Sequence, residues 1–577
     1  MMSTSSRHRP AAAPQSEKPL LPAKTSAPAE VFGRHRRHDG GNPPLTPGRC
    51  GSINRTMPPS VSTSSAQQRW SGWTELVAAD VIDNGGRGLR GPLPLRTIAL
   101  GAIGSVLLLA GSFGAAGVLV HDPILGSGPL SAMRYGHGKD LATAVVYLGF
   151  GLLVWAWVRL GRGVLARLVD SRGVLLATAA WLAPMLAAPP LFTRDVYSYL
   201  GQGLLALHGI DPYAVGPSAL TGPIPDNVHP TWQTTPAPYG PLFMGVAKGV
   251  ILVAGDGMIS SVIVMRLVLL CGLGMLIFAL PGLVRHLGGR LPVALWLAAA
   301  SPMTVVHLVG GPHNDMLMIG LLAVGTLLIL DGKHAGGLAL ATMAMAIKAT
   351  AGLALPFLVW VWASHLAGPR WQRFARAVVP ALALFAVVFG ACMALAKVGF
   401  GWLPALSAPG MIVNYLSTPT ALGQAAFGIA SLFFDADYGA FVSAGRSLGS
   451  VVLAGILVWQ WWQARDGGTE AVRRAAIVLF AGALLSPVVL PWYLTWGMAL
   501  ACALPWSPRA LSYVVGASVA LVLAYSPDGE QAMYNWPLVA VGICAAFLGA
   551  LSLVRFDPLG FSPLFRRATQ VEQHLPR

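Results

Sequence analysis

From residue 97 to residue 555 the chain repeats apolar stretches of the length that crosses a lipid bilayer. A spanning helix needs roughly 20 mostly apolar residues, because in hydrocarbon the backbone must satisfy its own polar groups. About 14 such stretches can be read, near 97–120, 141–159, 173–192, 259–281, 291–308, 313–331, 335–349, 351–364, 376–397, 441–463, 473–489, 493–506, 509–525 and 536–555. With 54% of residues hydrophobic and only 11% charged, there is too little polar surface for a water-facing domain. The expected fold is all-α: a polytopic transmembrane helical bundle of about 13–15 spans, with interfacial helices in its outer loops. A single-span protein and a cleaved signal peptide are both excluded.

The formal charge of +16 points to membrane topology, because the basic residues sit in an N-terminal tail and in short interhelical loops. Arg159, Arg162, Arg167 and Arg172 form one set; Arg285, His286 and Arg290 a second; Arg370, Arg373 and Arg376 a third; Arg465, Arg473 and Arg474 a fourth; Arg566 and Arg567 a fifth. All five fall on one side if residues 240–255, interrupted by Lys248, are re-entrant or interfacial. That side is then the cytoplasm, with both termini cytoplasmic and the protein multi-pass in the cytoplasmic (inner) membrane. Residues 1–92, rich in Pro, Ser and Arg, are expected to be a disordered basic cytoplasmic tail, 93–560 the membrane domain and 561–577 a second cytoplasmic tail. The tail patch Arg34-His35-Arg36-Arg37-His38 is either a topology signal or a contact for anionic head groups. Membrane lipids are expected partners and nucleic acid is not. Cys271, Cys392, Cys502 and Cys544 lie in apolar runs and read as packing residues.

The opposite face collects carboxylates, aromatics and histidines. Pro189-Pro190 should end the third span, and a new helix then begins at Thr193-Arg194-Asp195. Its stripe of Val196, Leu200, Leu204 and Leu207 would lay it along the interface. Asp195 in its first turn either complements the helix dipole or serves as a general base, taking the proton of an attacking sugar hydroxyl. Asp211, before Pro212, is a turn former or a sugar-hydroxyl contact. His313, beside a Gly-Gly-Pro turn, is placed to donate to a phosphate, while Asn314 or Asp315 caps the next helix. Lys348 interrupts an apolar run at a cost of about 2.5 kcal/mol or more at a span centre, so it pairs with phosphate or carboxylate, or snorkels. Asp435-Ala436-Asp437 has the form of a metal-binding Asp-x-Asp pair, but chance pairs of this kind are common, and no metal or other cofactor is expected.

Five segments carry a resemblance: Thr-Arg-Asp-Val-Tyr-Ser-Tyr-Leu from Thr193, Gly-Ile-Asp-Pro-Tyr from Gly209, Ala-Pro-Tyr-Gly-Pro from Ala237, His-Asn-Asp-Met-Leu-Met from His313 and Pro-Trp-Tyr from Pro491. In combination they resemble the actinobacterial α-(1→6)-mannopyranosyltransferases of the GT-C superfamily, over about residues 97–560. Lys348-Ala349-Thr350-Ala351-Gly352 and Pro527-Asp528-Gly529 bring the chain nearer the A type. The resemblance implies an inverting transfer of mannose from polyprenyl-phosphate mannose to a growing α-(1→6) mannan of lipomannan and lipoarabinomannan, outside the cytoplasmic membrane. It maps the catalytic acidic residue onto Asp195, although two spans precede its loop here where many GT-C enzymes have one. The departing lipid phosphate calls for donors, for which Arg194, His313 and Lys348 are the candidates. Tyr197, Tyr199, Asp211, Tyr213, Tyr239, Asn314, Asp315, Trp492 and Tyr493 are the candidates for holding sugar and acceptor. A transporter or flippase is the rival reading, but it would concentrate its polar groups near the midplane, often with an internal repeat. A GT-C enzyme using another lipid-linked sugar is the nearer alternative.

Overall fold

The computed structural model describes residues 93–555. The tails expected at 1–92 and 561–577 lie outside the described residues. In chain order the main helices are α1 (Leu95–Ala115), α2 (Gly136–Leu165), α3 (Ser171–Met185), α4 (Asp195–Leu207), α5 (Pro241–Ala254), α6 (Met258–Leu287), α7 (Leu291–Ala298), α8 (Asp315–Leu330), α9 (His334–Ile347), α10 (Leu355–Ser364), α11 (Arg370–Ala396), α12 (Thr418–Ala430), α13 (Tyr438–Gln463), α14 (Gly468–Leu485), α15 (Leu494–Ala501), α16 (Pro508–Val522) and α17 (Trp536–Val554). Every expected apolar stretch carries a helix, and among the described residues strand pairing is confined to an isolated bridge between Tyr525 and Gln531. The protein is an all-α polytopic membrane bundle.

The helices differ in kind. α1, α2, α6, α11, α13 and α17 are each long and apolar enough to cross a bilayer unaided. α7 and the π-helical segment Met303–Gly310 form a pair bent by 47°. α5, α8, α9 and α16 are shorter apolar helices of 10–17 residues. The 14 residues of α5 extend about 21 Å at 1.5 Å per residue, short of a roughly 30 Å hydrocarbon core, so α5 is too short to cross alone. The run 335–364 resolves into α9 and α10, broken at Lys348 and a 3₁₀ turn, Ala349–Ala354.

The basic loops gather at one end of the bundle. His286, at the end of α6, bonds Asp331 just past α8, and its carbonyl accepts from Thr469 at the start of α14. Arg370 at the start of α11 pairs with Asp466, and Arg162 near the end of α2 donates to Arg555 past α17. Because α8 runs from Asp315 to this basic end, Asp315 and its neighbours mark the opposite end, which holds the carboxylates and aromatics.

Breaking helices inside an apolar bundle leaves carbonyls that water cannot reach. Arg266 answers this for two of the breaks. Its side chain, buried within α6, donates to Leu186 and Ala188 beyond α3 and to Val309 and Gly310 at the end of the π segment, over 2.7–3.0 Å. α6 in turn packs on α8 with backbones nearly touching, since a Cβ on Gly272 would lie 2.1 Å from the Met316 carbonyl and one on Gly320 2.2 Å from the Gly272 carbonyl. Arg266→Met is expected to strand those four carbonyls and cost more than about 3 kcal/mol, each unpaired group being worth about 1–3 kcal/mol. Thermal unfolding in detergent measures this, and a melting temperature equal to wild type would refute the clamp.

Candidate active site

α4 begins at Asp195, as the Pro189-Pro190 break and the polar segment after it predicted. Its setting differs from a helix lying on the interface with one wet face. Val196 and Leu200 of the expected stripe are buried, Leu207 is exposed, and Tyr197, Ser198, Gly201 and Gln202 on other faces are buried too. α5 packs along the helix, and the Pro-rich segment 217–233 folds over it. That cover brings Trp232 to Asp195.

A hydrogen bond from Trp232 reaches the Asp195 carboxylate, and a second anchors the residue's backbone. Trp232 Nε1 donates to its Oδ1 at 3.1 Å, and its own backbone N–H donates to Thr193 Oγ1 at 3.1 Å. Oδ2 lies 3.8 Å from His313 Nδ1. The side chain is 14% exposed and lines a cavity of about 200 Å³ with Thr193, Arg194, His229, Trp232 and Trp492. Burial pushes its pKa up to about 6, opposed by Lys348 and the Trp232 and Thr193 hydrogen bonds. A carboxylic acid so placed loses its proton near neutral pH and remains reachable from one side.

His313 is fully buried in the loop between the π segment and α8. Its ring stacks on Trp492 with centroids 3.5 Å apart, and its Nδ1 shares a hydrogen bond with Tyr199 Oη at 3.3 Å. Burial, then the neighbouring His307 and Lys348, hold it well below the usual histidine range, so it is neutral at pH 7. Gly311 makes the approach possible. A Cβ there would stand 2.6 Å from both the Leu191 carbonyl and Thr193 Cγ2, so a larger residue would push His313 away from Asp195.

Asp315, the first residue of α8, is fully buried and accepts from Lys348 Nζ at 2.8 and 2.9 Å and from Trp496 Nε1. Lys348 stands at the end of α9 with Nζ 4.8 Å from the Tyr493 ring centroid and 5.3 Å from that of Trp496. Of the partners open to Lys348 in the sequence, the carboxylate is the one found here. Each charge also sits at the helix end it complements, anion at the start of α8 and cation at the end of α9.

The structure brings together Asp195, Tyr199, Tyr239, His313, Asn314, Asp315, Lys348, Trp492 and Tyr493. Tyr199 packs edge-on to Tyr239 at 5.2 Å, and both amide atoms of Asn314 are buried without a partner among the described residues. Other candidates lie elsewhere. Asp211 is exposed and accepts from the Tyr213 N–H at 2.9 Å, the turn-forming alternative. Tyr213 supports the wall from behind by donating to the Tyr239 carbonyl. Tyr197 points away from Asp195 into a different cavity, which Arg194 also lines. Asp437 caps α13 through the Gly439 N–H. Arg266 and the Trp232 bond escaped the sequence reading. Arg266 carries the same warning as Lys348, a charge inside an apolar run, whereas nothing local ties Trp232 to Asp195.

Comparison with known proteins supplies the class. Residues 98–364 match the family model described as "Alpha-(1->6)-mannopyranosyltransferase, N-terminal domain", and residues 419–555 match "MptB C-terminal domain". The chain is a membrane-embedded glycosyltransferase. It is 40% identical to α-(1→6)-mannopyranosyltransferase A of Mycobacterium tuberculosis over 76% of this chain and 86% of that one. It is 31% identical to α-(1→6)-mannopyranosyltransferase A of Corynebacterium glutamicum over 78% and 96%, and 28% identical to the B enzyme of that organism over 74% of each. It belongs to the α-(1→6)-mannopyranosyltransferase family and is a mannosyltransferase. No solved structure matches it.

Lys348→Met alone should leave a fully buried carboxylate unpaired and lower stability by roughly 3–5 kcal/mol. Lys348→Met combined with Asp315→Leu should recover most of that loss. Thermal unfolding of the three proteins decides the matter, and a single variant as stable as wild type would show that the pair carries no structural weight.

Proposed function

We propose that the enzyme moves mannose from polyprenyl-phosphate mannose to the 6-hydroxyl of a growing α-(1→6) mannan in lipomannan and lipoarabinomannan synthesis, with inversion, Asp195 being the general base. The observation that carries this reading is the carboxylate on the cavity wall, with its pKa raised to about 6 and a neutral histidine 3.8 Å away. A base of that strength accepts a hydroxyl proton better than a carboxylate at its ordinary value and is still ionised at pH 7. One carboxylate suffices for a single displacement, since a lipid phosphate leaves as an anion and needs donors in place of a protonated acid. Arg194 on the cavity wall and His313 take that role, Lys348, already bonded to Asp315, adding only its positive charge, and the aromatic walls hold the mannan. The protein lies in the cytoplasmic membrane with both termini inside and the Asp195 end outside, the basic loops marking the inner end. No cofactor takes part.

Sealed right-side-out vesicles given polyprenyl-phosphate mannose, EDTA and an impermeant short α-(1→6) mannoside test this. Wild type should extend the acceptor, and Asp195→Asn should fall by about 10²–10⁴-fold, the usual contribution of a positioned base. Wild-type turnover by that variant would remove the general base.

The pH profile follows from the sign of the shift. The working form is the deprotonated one, so kcat/KM should be level above about pH 6.5 and fall about tenfold per unit below about 6. A fall centred near 4 would show that burial does not tune this group.

A further inference from the structure

On the other side of α4 from Asp195 lies a second cavity of about 70 Å³. Tyr197 reaches it because two residues along a helix turn the side chain through about 200°. Three arginines, Arg134, Arg194 and Arg266, line it against one carboxylate, Asp122. That carboxylate is engaged, since Arg134 holds its Oδ2 from Nη2 at 2.8 Å and Nε at 2.9 Å, both side chains being buried. Arg266 spends its donors on four neutral carbonyls. Arg194 donates Nη1 to the Val118 carbonyl, and its Nε is buried without a partner among the described residues. The Tyr197 hydroxyl, on a residue 5% exposed, makes none of the hydrogen bonds found among the described residues. The acids on the far side of Arg194 are Asp528, paired with Lys139 at 3.1 Å, and Glu530, 3.6 Å from His229, and neither lines this cavity.

Where the lining is exposed it has the opposite character. Ile259 and Ile263, one turn apart on α6, a helix long and apolar enough to span a bilayer, are exposed, as is Ile124, and the buried Met258 and Val262 line the cavity beside them. A positively charged floor behind an apolar, bilayer-facing mouth fits an amphiphile with an anionic head. At about 10–15 Å³ for each water-sized group the space holds roughly five to seven, enough for the heavy atoms of a phosphate. Guanidinium forks suit phosphate oxygens, and exclusion of water strengthens the attraction.

We propose that this cavity is a bilayer-entered site for the phosphate of a lipid, held by Arg194 and Tyr197 with Arg266 adding its positive charge while its donors stay on the carbonyls, and with the apolar chain leaving past Ile259 and Ile263. The chemistry recognised is an apolar chain ending in a phosphate ester, which a polyprenyl carrier and a bilayer phospholipid both present. Arg194 also lines the Asp195 cavity, so an anion here touches the residue that borders the transfer site. Only the link to a polyprenyl carrier rests on the function proposed above.

Purified wild type, Tyr197→Phe and Ile263→Trp, each incubated separately with polyprenyl phosphate, phosphatidylglycerol and uncharged polyprenol, are compared by native mass spectrometry. Ile263 projects outward, so tryptophan there obstructs the mouth without entering the core, and equal melting temperatures check this. Wild type should retain a phosphate lipid and not polyprenol, and each variant should lose about tenfold in retention, the worth of one hydrogen bond to a charged group or of a blocked entry. Preference for polyprenyl phosphate assigns the site to the carrier, and equal retention of phosphatidylglycerol assigns it to bilayer lipid. Retention of polyprenol as strong as that of the phosphate, or retention unchanged in both variants, overturns the site. Binding is read without turnover, so a wild type that failed to transfer mannose would sink the proposed function and leave this result standing.

Discussion

The geometry of the site depends on a single guanidinium inside α6. α3 ends, and the π segment ends, within an apolar bundle, and each ending exposes carbonyls that neither water nor a following turn satisfies. Arg266 gathers four of them, two from each break, and so holds the segment that leads to Asp195 against the segment that leads to His313. A lysine carries the same charge as a point and cannot span four acceptors in fixed directions, whereas the planar fork can. With the two chain ends clamped, Gly311 lets them close to contact and the carboxylate and imidazole come within 3.8 Å.

The second consequence of broken helices is electrostatic. An uninterrupted run over 335–364 would have had no helix end at Lys348 and no favourable place for its charge. The break gives that cation the negative end of α9 and the carboxylate of Asp315, which itself sits on the positive end of α8. The pair lies within the field of Asp195, Lys348 lowering its pKa and Asp315 raising it, while burial outweighs both. The site therefore contains two carboxylates in different conditions, one locked to a cation and one left with a neutral neighbour.

Much of this was legible in the residues. The apolar repeat set the fold class, Pro189-Pro190 set the start of α4, and a lysine in an apolar run announced a partner. What was not legible has physical causes. Asp211 closes its own turn, as its place before Pro212 offered, but Tyr197 lines a different cavity from Asp195 because the helix turns residues 195 and 197 to opposite sides. Residue spacing reveals amphipathic stripes and not what is later laid over them, so the burial of α4 beneath segment 217–233, and with it the Trp232 bond to Asp195, had no local signal. Arg266 did have one, and the insertion-cost argument applied to Lys348 points to it with equal force.

The neutrality of His313 decides what Asp195 is able to do. Were the imidazole protonated, a cation 3.8 Å from the carboxylate would favour the charged acid, lower its pKa and tie its lone pairs to an ion pair. Burial acts on both groups in the direction that prevents this, raising the acid and lowering the histidine, so neither finds its counter-ion in the other. A rise from 3.8 to about 6 corresponds to about 3 kcal/mol by which the folded protein disfavours the ionised carboxylate at neutral pH. The sign is that of a raised acid: this contribution favours folding below the unfolded value and turns against it as pH rises through about 6. A residue placed only for stability would not be held in that condition, whereas a base that must take a proton from a hydroxyl gains driving force from it.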